Sequence, residues 1–274
     1  MTGGPMQIVE IPVSGGELEA ELHGSFSDCA GPAILFLHGW TLDRRAWAPQ
    51  HEFSKHNPVI AVDRRGFGRS TAPAALHLET DDILAIQNFL GHRQSVIVGM
   101  SQAGRIALDF AARHPERTTA LVLEGAGLAG FKPPPKLEER IPLDHYAALV
   151  KVGRIDDMRA EWRRHPLMQS PNPDALKIMD EILQSYDGRD LLAPPSPAFG
   201  VGPDALIEIE VPVLSVTGDQ ETPWRQMAAD AIAYGAPNAQ RAVIENAGHV
   251  CNLCNPEEFN AVVSAFVDSA TPGT

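Results

Sequence analysis

One serine stands where a nucleophile would be useful. Ser101 lies in Gly99-Met100-Ser101-Gln102-Ala103-Gly104, at the junction of an apolar run, Ser95–Val98, and a helix-patterned segment, Ser101–Arg113. A sharp turn between strand and helix forces strained backbone angles on the serine, so residues two positions to either side must be small, as Gly99 and Ala103 are. Such a turn lifts the hydroxyl clear of a sheet and aims a helix N-terminus at it, leaving the Gln102 amide free to stabilise an oxyanion. An ordinary βα turn with an N-cap serine is the competing reading of the same residues. A second signal is Phe36-Leu37-His38-Gly39-Trp40, at the end of another apolar run. Acyl transfer needs a second backbone donor, and the amide of Trp40 is placed to supply it. The Trp40 ring is a candidate for the pocket wall; His38 fits a satisfied structural histidine better than a chemical group, with the pocket as its functional alternative.

Two motifs invite other chemistry and fall short of it. Cys251-Asn252-Leu253-Cys254 has the spacing of half a zinc site, but no matching second pair exists and the only other cysteine is Cys29. Gly66-Phe67-Gly68 is too short and wrongly flanked for a dinucleotide loop. No metal and no cofactor is expected.

The elements needed to position Ser101 are legible around it. Gln7–Val13 and Glu17–His23 pattern as a hairpin about Ser14-Gly15-Gly16. Ala33–Leu37, Val59–Val62, Ser95–Val98 and Thr119–Leu123 are short apolar runs typical of strands covered on both faces, and Thr80–Leu90 has helical spacing between two of them. Strands alternating with helices imply a mostly parallel sheet built from right-handed crossovers. The rhythm stops after Glu124. Residues 125–209 show helical patterns near Asp144–Lys151, Asp156–Arg164 and Pro173–Gln184, bracketed by Lys132-Pro133-Pro134-Pro135-Lys136 and Ala193-Pro194-Pro195-Ser196-Pro197. It then resumes with strand Val213–Thr217, helix Trp224–Tyr234, strand Arg241–Ile244 and helix Pro256–Val267. The expectation is one α/β core, residues 1–124 and 210–274, with a helical lid, 125–209, inserted to enclose a small ligand. Within the lid, Trp162 is a candidate pocket residue; Tyr146, Met158 and Met168 fit packing against the core equally well.

The chain has 274 residues, 44% of them hydrophobic, enough for such a core. Its 35 acidic and 22 basic residues give a formal net charge of −13, which repels phosphate backbones and argues against nucleic acid as a partner. Mean hydropathy is −0.12, and no apolar run approaches the roughly 20 residues of a membrane span. Residues 1–10 lack the basic and apolar pattern of a signal peptide, and three cysteines make no disulfide framework. A cytoplasmic protein acting on a small molecule, away from membranes, is expected.

Taken in order along the chain, His38-Gly39-Trp40, Asp63-Arg64-Arg65-Gly66-Phe67-Gly68-Arg69-Ser70, Gly99-Met100-Ser101-Gln102-Ala103-Gly104 and Asn246-Ala247-Gly248-His249 resemble the α/β-hydrolase superfamily, over nearly the whole chain. The resemblance implies an α/β-hydrolase fold and a nucleophile–acid–base order of Ser, Asp or Glu, then His. The base is then His249, the one histidine of ten that joins a late strand end to a Gly-His turn. The acid is open between three carboxylates. Relatives place it three positions after the glycine that closes the late strand; Gly218 makes that Glu221, although Asp is commoner there. Asp219 is adjacent and shorter, and Glu124 occupies the superfamily's other acid position. The activity so implied is that of a serine hydrolase without cofactor, cleaving a small ester or lactone. Hydrolysis of a carbon–carbon bond in a dienoate or diketone by the same triad, and a non-catalytic ligand-binding protein on this fold, are the alternatives. Dehalogenases and epoxide hydrolases are disfavoured, since their nucleophile is Asp and position 101 is Ser.

Overall fold

A computed structural model describes residues 6–26, 31–132, 134–137 and 139–271, so Cys29 and Pro133 lie outside the described residues. Eight strands form one sheet: β1 (Gln7–Val13), β2 (Gly16–His23), β3 (Ala33–Leu37), β4 (Val59–Val62), β5 (Ser95–Met100), β6 (Thr118–Glu124), β7 (Val213–Gly218) and β8 (Ala239–Ile244). Their spatial order is β1-β2-β4-β3-β5-β6-β7-β8, antiparallel for the β1–β2 and β2–β4 pairs and parallel for the rest. This is the α/β-hydrolase architecture expected from the sequence. β3, β4, β5 and β7 are buried along their whole length, because helices cover both faces of a parallel sheet.

The core helices are α1 (Glu79–Phe89) and α2 (Gln102–Arg113), and between β6 and β7 come α3 (Leu143–Lys151), α4 (Ile155–Trp162) and α5 (Pro173–Ser185). After β7 follow α6 (Pro223–Gly235), the short α7 (Cys251–Cys254) and α8 (Pro256–Ala270). The longest element to escape the sequence pattern is a 3-10 helix over Arg44–Lys55, N-capped by the Asp43 carboxylate and carrying Pro49 inside. It covers one face of the sheet with Trp47 and Phe53, which pack on Phe36 at ring separations of 4.9 and 6.0 Å.

Apolar side chains collect in two clusters, one on each face. The first joins Phe36, Val98 and Val122 to α8 and continues upward into the inserted helices through Tyr146, Met158, Trp162, Met168 and Tyr186. The second joins Leu35, Ile97 and Leu121 to α1 and α2, and it also takes Val201, Leu206 and Ile209. Residues 125–209 are therefore not packed as one body. Their helices lie with the first cluster, whereas residues 201–209 tuck beneath the opposite face.

Candidate active site

Ser101 sits between β5 and α2 with φ 55° and ψ −111°, the strained turn its neighbours suggested. Its amide donates to the Glu124 carbonyl at 2.7 Å, tying the turn to the end of β6. A Cβ on Gly99 would stand 2.7 Å from the Ala103 carbonyl oxygen, so position 99 admits only glycine. Among the described residues three non-glycines have positive φ: Thr41, Ser101 and Asn246. One follows Trp40, one is the serine and one precedes His249 by three positions. Strain is concentrated where the three strand-end loops meet.

His249 follows β8 and is held against β7, whose last residue, Gly218, would place a Cβ 2.0 Å from the Ala247 carbonyl oxygen. Its Nδ1 lies 2.5 Å from Glu221 Oε2, and both side chains are almost wholly buried. With Nδ1–H donated to the carboxylate, Nε2 is left bare as a proton acceptor. Glu221 also accepts from the Thr222 amide at 2.7 Å. Burial works against its ionisation, but the His249 charge and hydrogen bond, the Thr222 amide and Arg225 outweigh burial and hold the carboxyl below its ordinary range. The three candidate acids thus separate cleanly. Asp219 is exposed and accepts from the Ala247 amide at 2.9 Å, bracing the histidine loop from outside. Glu124 is fully buried and accepts from the Asn252 amide at 3.0 Å, with the Cys251 thiol and amide beside it. Desolvation raises its pKa to about 7.

The Gly39-Trp40 loop stands against the serine: a Cβ on Gly39 would meet Ser101 Cβ at 3.5 Å. Gln102 opens α2, so its amide has no partner within that helix. Behind these two residues lies Arg64, fully buried, which donates to the His38 carbonyl at 2.9 Å, to Gln102 Oε1 at 3.0 Å and to both oxygens of Glu79 at 2.7 and 2.8 Å. The Asp63–Ser70 motif therefore supports the loop of Trp40 and the start of α2 together. His38 belongs to this support. Its Nδ1 faces the Gly39 carbonyl at 2.8 Å, its Nε2 accepts from the Arg64 amide at 3.0 Å, and burial followed by the Arg64 charge drives its pKa down to about 3. It is a neutral structural imidazole and does not line the cavity at Ser101, which corrects its place among the candidate pocket residues.

That cavity is lined by Gly39, Trp40, Leu42, Met100, Ser101, Ile141, Trp162, Leu167, Met168, His249 and Val250, with a free volume of about 20 Å³. The candidate pocket residues Trp40 and Trp162 lie in the wall together with Met168, for which the sequence left packing open, whereas Tyr146 and Met158 do not line it. Ile141 and Leu167 had no distinguishing pattern in the sequence, and Met100 was visible only as the middle of the serine motif. Trp162 also donates from Nε1 to Thr41 Oγ1 at 2.8 Å, so an inserted helix grips the loop after Trp40.

The cysteines next to His249 make other contacts. Burial and then the Glu124 carboxyl push the Cys251 thiol well above its usual range, and Cys254 Sγ lies 3.0 Å from Ser170 Oγ. Elsewhere, Glu21, His23 and His51 bring donor atoms within 4.8 Å of one another. The two imidazoles stack at 3.8 Å and the Arg44 guanidinium lies 3.5 Å from Glu21, an arrangement of hydrogen bonds and stacking in which a guanidinium already takes the cation's place.

Residues 34–262 match the model of the alpha/beta hydrolase family. The chain belongs to that family. Among its relatives is a 2-hydroxy-6-oxononadienedioate/2-hydroxy-6-oxononatrienedioate hydrolase of Burkholderia vietnamiensis, 28% identical over 91% of this chain and 91% of that one. Among solved structures, carboxylesterase CesB (YbfK) of Bacillus subtilis superposes with a TM-score of 0.78 at 22% identity, covering 97% of this chain and 92% of its own. The enol-lactonase of Burkholderia xenovorans does so with a TM-score of 0.77 at 21% identity, covering 94% and 99%. This alpha/beta hydrolase shares its fold with both structures. No helix among its described residues is long and apolar enough to cross a membrane.

Proposed function

We propose that the protein hydrolyses small esters or lactones through an acyl-enzyme on Ser101, with His249 as base then acid, Glu221 as its orienting carboxylate, and the Trp40 and Gln102 amides as the oxyanion hole. The observation that carries this reading is that Ser101, on a strained strand-to-helix turn, and His249, paired to buried Glu221, line one apolar cavity. The Ser101 hydroxyl attacks the carbonyl carbon and its proton passes to His249 Nε2. Glu221 stabilises the imidazolium so formed, and the two amides take the negative charge of the tetrahedral oxygen. Collapse releases the alcohol, which takes the proton from His249. Water then repeats the sequence and frees the acid and Ser101. In a lactone the alcohol stays tethered to the acyl group and the product is one hydroxy acid. The helices α3 to α5 act as the lid over this chemistry, supplying Ile141, Trp162, Leu167 and Met168 or their flanks to the wall.

Carbon–carbon bond hydrolysis by the same triad is the second reading, since the relative from Burkholderia vietnamiensis has that kind of substrate by name. A dienedioate carries two carboxylates and needs cations at the site. The cavity at Ser101 is lined by no lysine or arginine, and the one arginine lining the cavity beyond Trp40, Arg65, is paired with Asp82, which favours an uncharged ester or lactone. Turnover of short p-nitrophenyl esters and a lactone panel by wild type and Ser101→Ala tests the assignment. The expected loss in kcat is at least about a thousandfold, with a residue of activity from the oxyanion hole. Equal turnover by both proteins would refute a nucleophilic Ser101, and turnover of dienoates alone would select the second reading. A ligand-binding protein would keep its affinity in the Ser101→Ala variant and turn over nothing in either form.

A further inference from the structure

The cavity at Ser101 holds about 20 Å³, room for a water molecule and not for an ester. A second cavity of about 240 Å³ lies against it, and the two share the Trp40 indole as a wall. Gln102, whose amide serves the oxyanion hole in the proposed mechanism, lines the second cavity as well. The indole is only half-buried. It is held by one hydrogen bond, from Nε1 to Asp190 Oδ2 at 2.8 Å, and by ring contacts with Tyr146, Trp162 and Tyr186 at 6.2, 4.7 and 6.3 Å. Every one of these partners comes from the segment between β6 and β7. Movement of that segment would free the indole, and movement of the indole would join the cavities.

We propose that the cavity beyond Trp40 receives the acyl arm of the substrate, with Trp40 as the gate, and that it selects uncharged or cationic arms over arms bearing a carboxylate. This rests on the esterase reading. The side follows from the chemistry. The leaving alcohol must lie beside His249, which protonates it, and His249 lines only the small cavity. The second cavity lies past the oxyanion donors, away from His249, where the acyl chain points once the carbonyl oxygen sits between the Trp40 and Gln102 amides.

The selectivity follows from its walls. Phe67, Leu76, Ala147, Leu191 and Pro194 make much of them apolar. The single arginine in the lining, Arg65, is taken up by Asp82, with both bonds at 2.6 Å, and Glu79 is neutralised by Arg64. Asp190 accepts from the neutral donors Trp40 and Tyr186, at 2.8 and 2.6 Å, and makes no ion pair; burial raises its pKa, and an ammonium group beside it would favour its charged form. Asp144 completes an excess of negative charge, against which an anionic arm is repelled and an ammonium arm attracted.

Four p-nitrophenyl esters test this with one leaving group: acetate, hexanoate, 6-aminohexanoate and the adipate monoester. Wild type is expected to prefer the hexanoate to the acetate in kcat/KM, and the 6-aminohexanoate to the adipate monoester by tenfold or more. Ala147→Phe, which fills the cavity from α3, is expected to lower the hexanoate-to-acetate ratio at least tenfold. Leu143→Trp, at the exposed start of α3, should lower it in the same sense. Both ratios are internal to one preparation, so partial misfolding cancels. If the acetate is turned over and neither substitution changes the ratio, the cavity does not hold the acyl arm. A preference for the adipate monoester would overturn the charge selection. A wild type that hydrolyses none of the four overturns the esterase reading itself, and this assignment with it.

Discussion

Two buried glutamates close neighbouring strands of the sheet, Glu124 at the end of β6 and Glu221 just past β7, and both lie beside the histidine loop. Burial alone would treat them alike, and for both it is the largest influence on ionisation. They end in opposite states. Glu221 has a titratable base at 2.5 Å, an amide at 2.7 Å and Arg225 nearby, and its pKa falls. Glu124 has the Asn252 amide at 3.0 Å, with the Cys251 thiol and amide and the His249 charge as further support, yet burial outweighs them all and its pKa climbs to about 7. The carboxylate that can orient an imidazole is the one whose charge the fold already supports; the other is a partly protonated strut under the loop that follows His249.

The sharpest way to break this contrast is to make the same isosteric change at both. Glu221→Gln is expected to lower kcat on the order of a thousandfold to ten-thousandfold with KM little changed, because the amide cannot stabilise the imidazolium and tolerates the wrong tautomer. Glu124→Gln is expected to cost less than about tenfold. Steady-state kinetics on one ester decide it, and reversed magnitudes would transfer the acid role to β6.

A pH titration of stability probes the same pair from the other side. Glu124 has a higher pKa folded, about 7, than its ordinary 4.5. Between those values the folded protein binds more protons than the unfolded chain. Its stabilising contribution is therefore complete below about pH 4.5 and is lost as pH rises through about 7. The span of that loss is about 3 kcal/mol. Glu124→Gln should flatten the decline. Denaturant melts of both proteins at pH 5 and pH 8 measure it, and parallel declines would show that Glu124 is ionised throughout.

The difference between the two carboxylates also marks how far the sequence could be read. β1, β3 and β4 fall where the apolar runs place them, and Ser101, His249 and the late-strand glutamate meet in one site, because each motif is short and its chemistry is local. The Gly39-Trp40 loop and Gln102 were visible for the same reason. Contacts between distant segments were not. Nothing adjacent in the chain ties Asp190 to Trp40, Arg64 to Gln102, or Trp162 to Thr41, and the 3-10 helix over Arg44–Lys55 is hidden by an internal proline. His38 sits beside chemistry in sequence and behind it in space, since its ring turns away to bond the backbone of its own and the next loop.

The smallest effect asks which partner keeps Glu221 ionised. Arg225 contributes less than His249 or the Thr222 amide. It directs its own donors to Glu139, at 3.1 and 3.0 Å, and to the Gly125 carbonyl at 3.2 Å. Arg225→Gln is therefore expected to lower kcat only about threefold to tenfold, through a loosened Glu139 segment and a slightly raised Glu221 pKa, roughly 0.6 to 1.4 kcal/mol. A loss approaching that of Glu221→Gln would mean that Arg225, and not the imidazole, separates the two glutamates. A small loss in kcat would leave His249 and the Thr222 amide as the groups that do so.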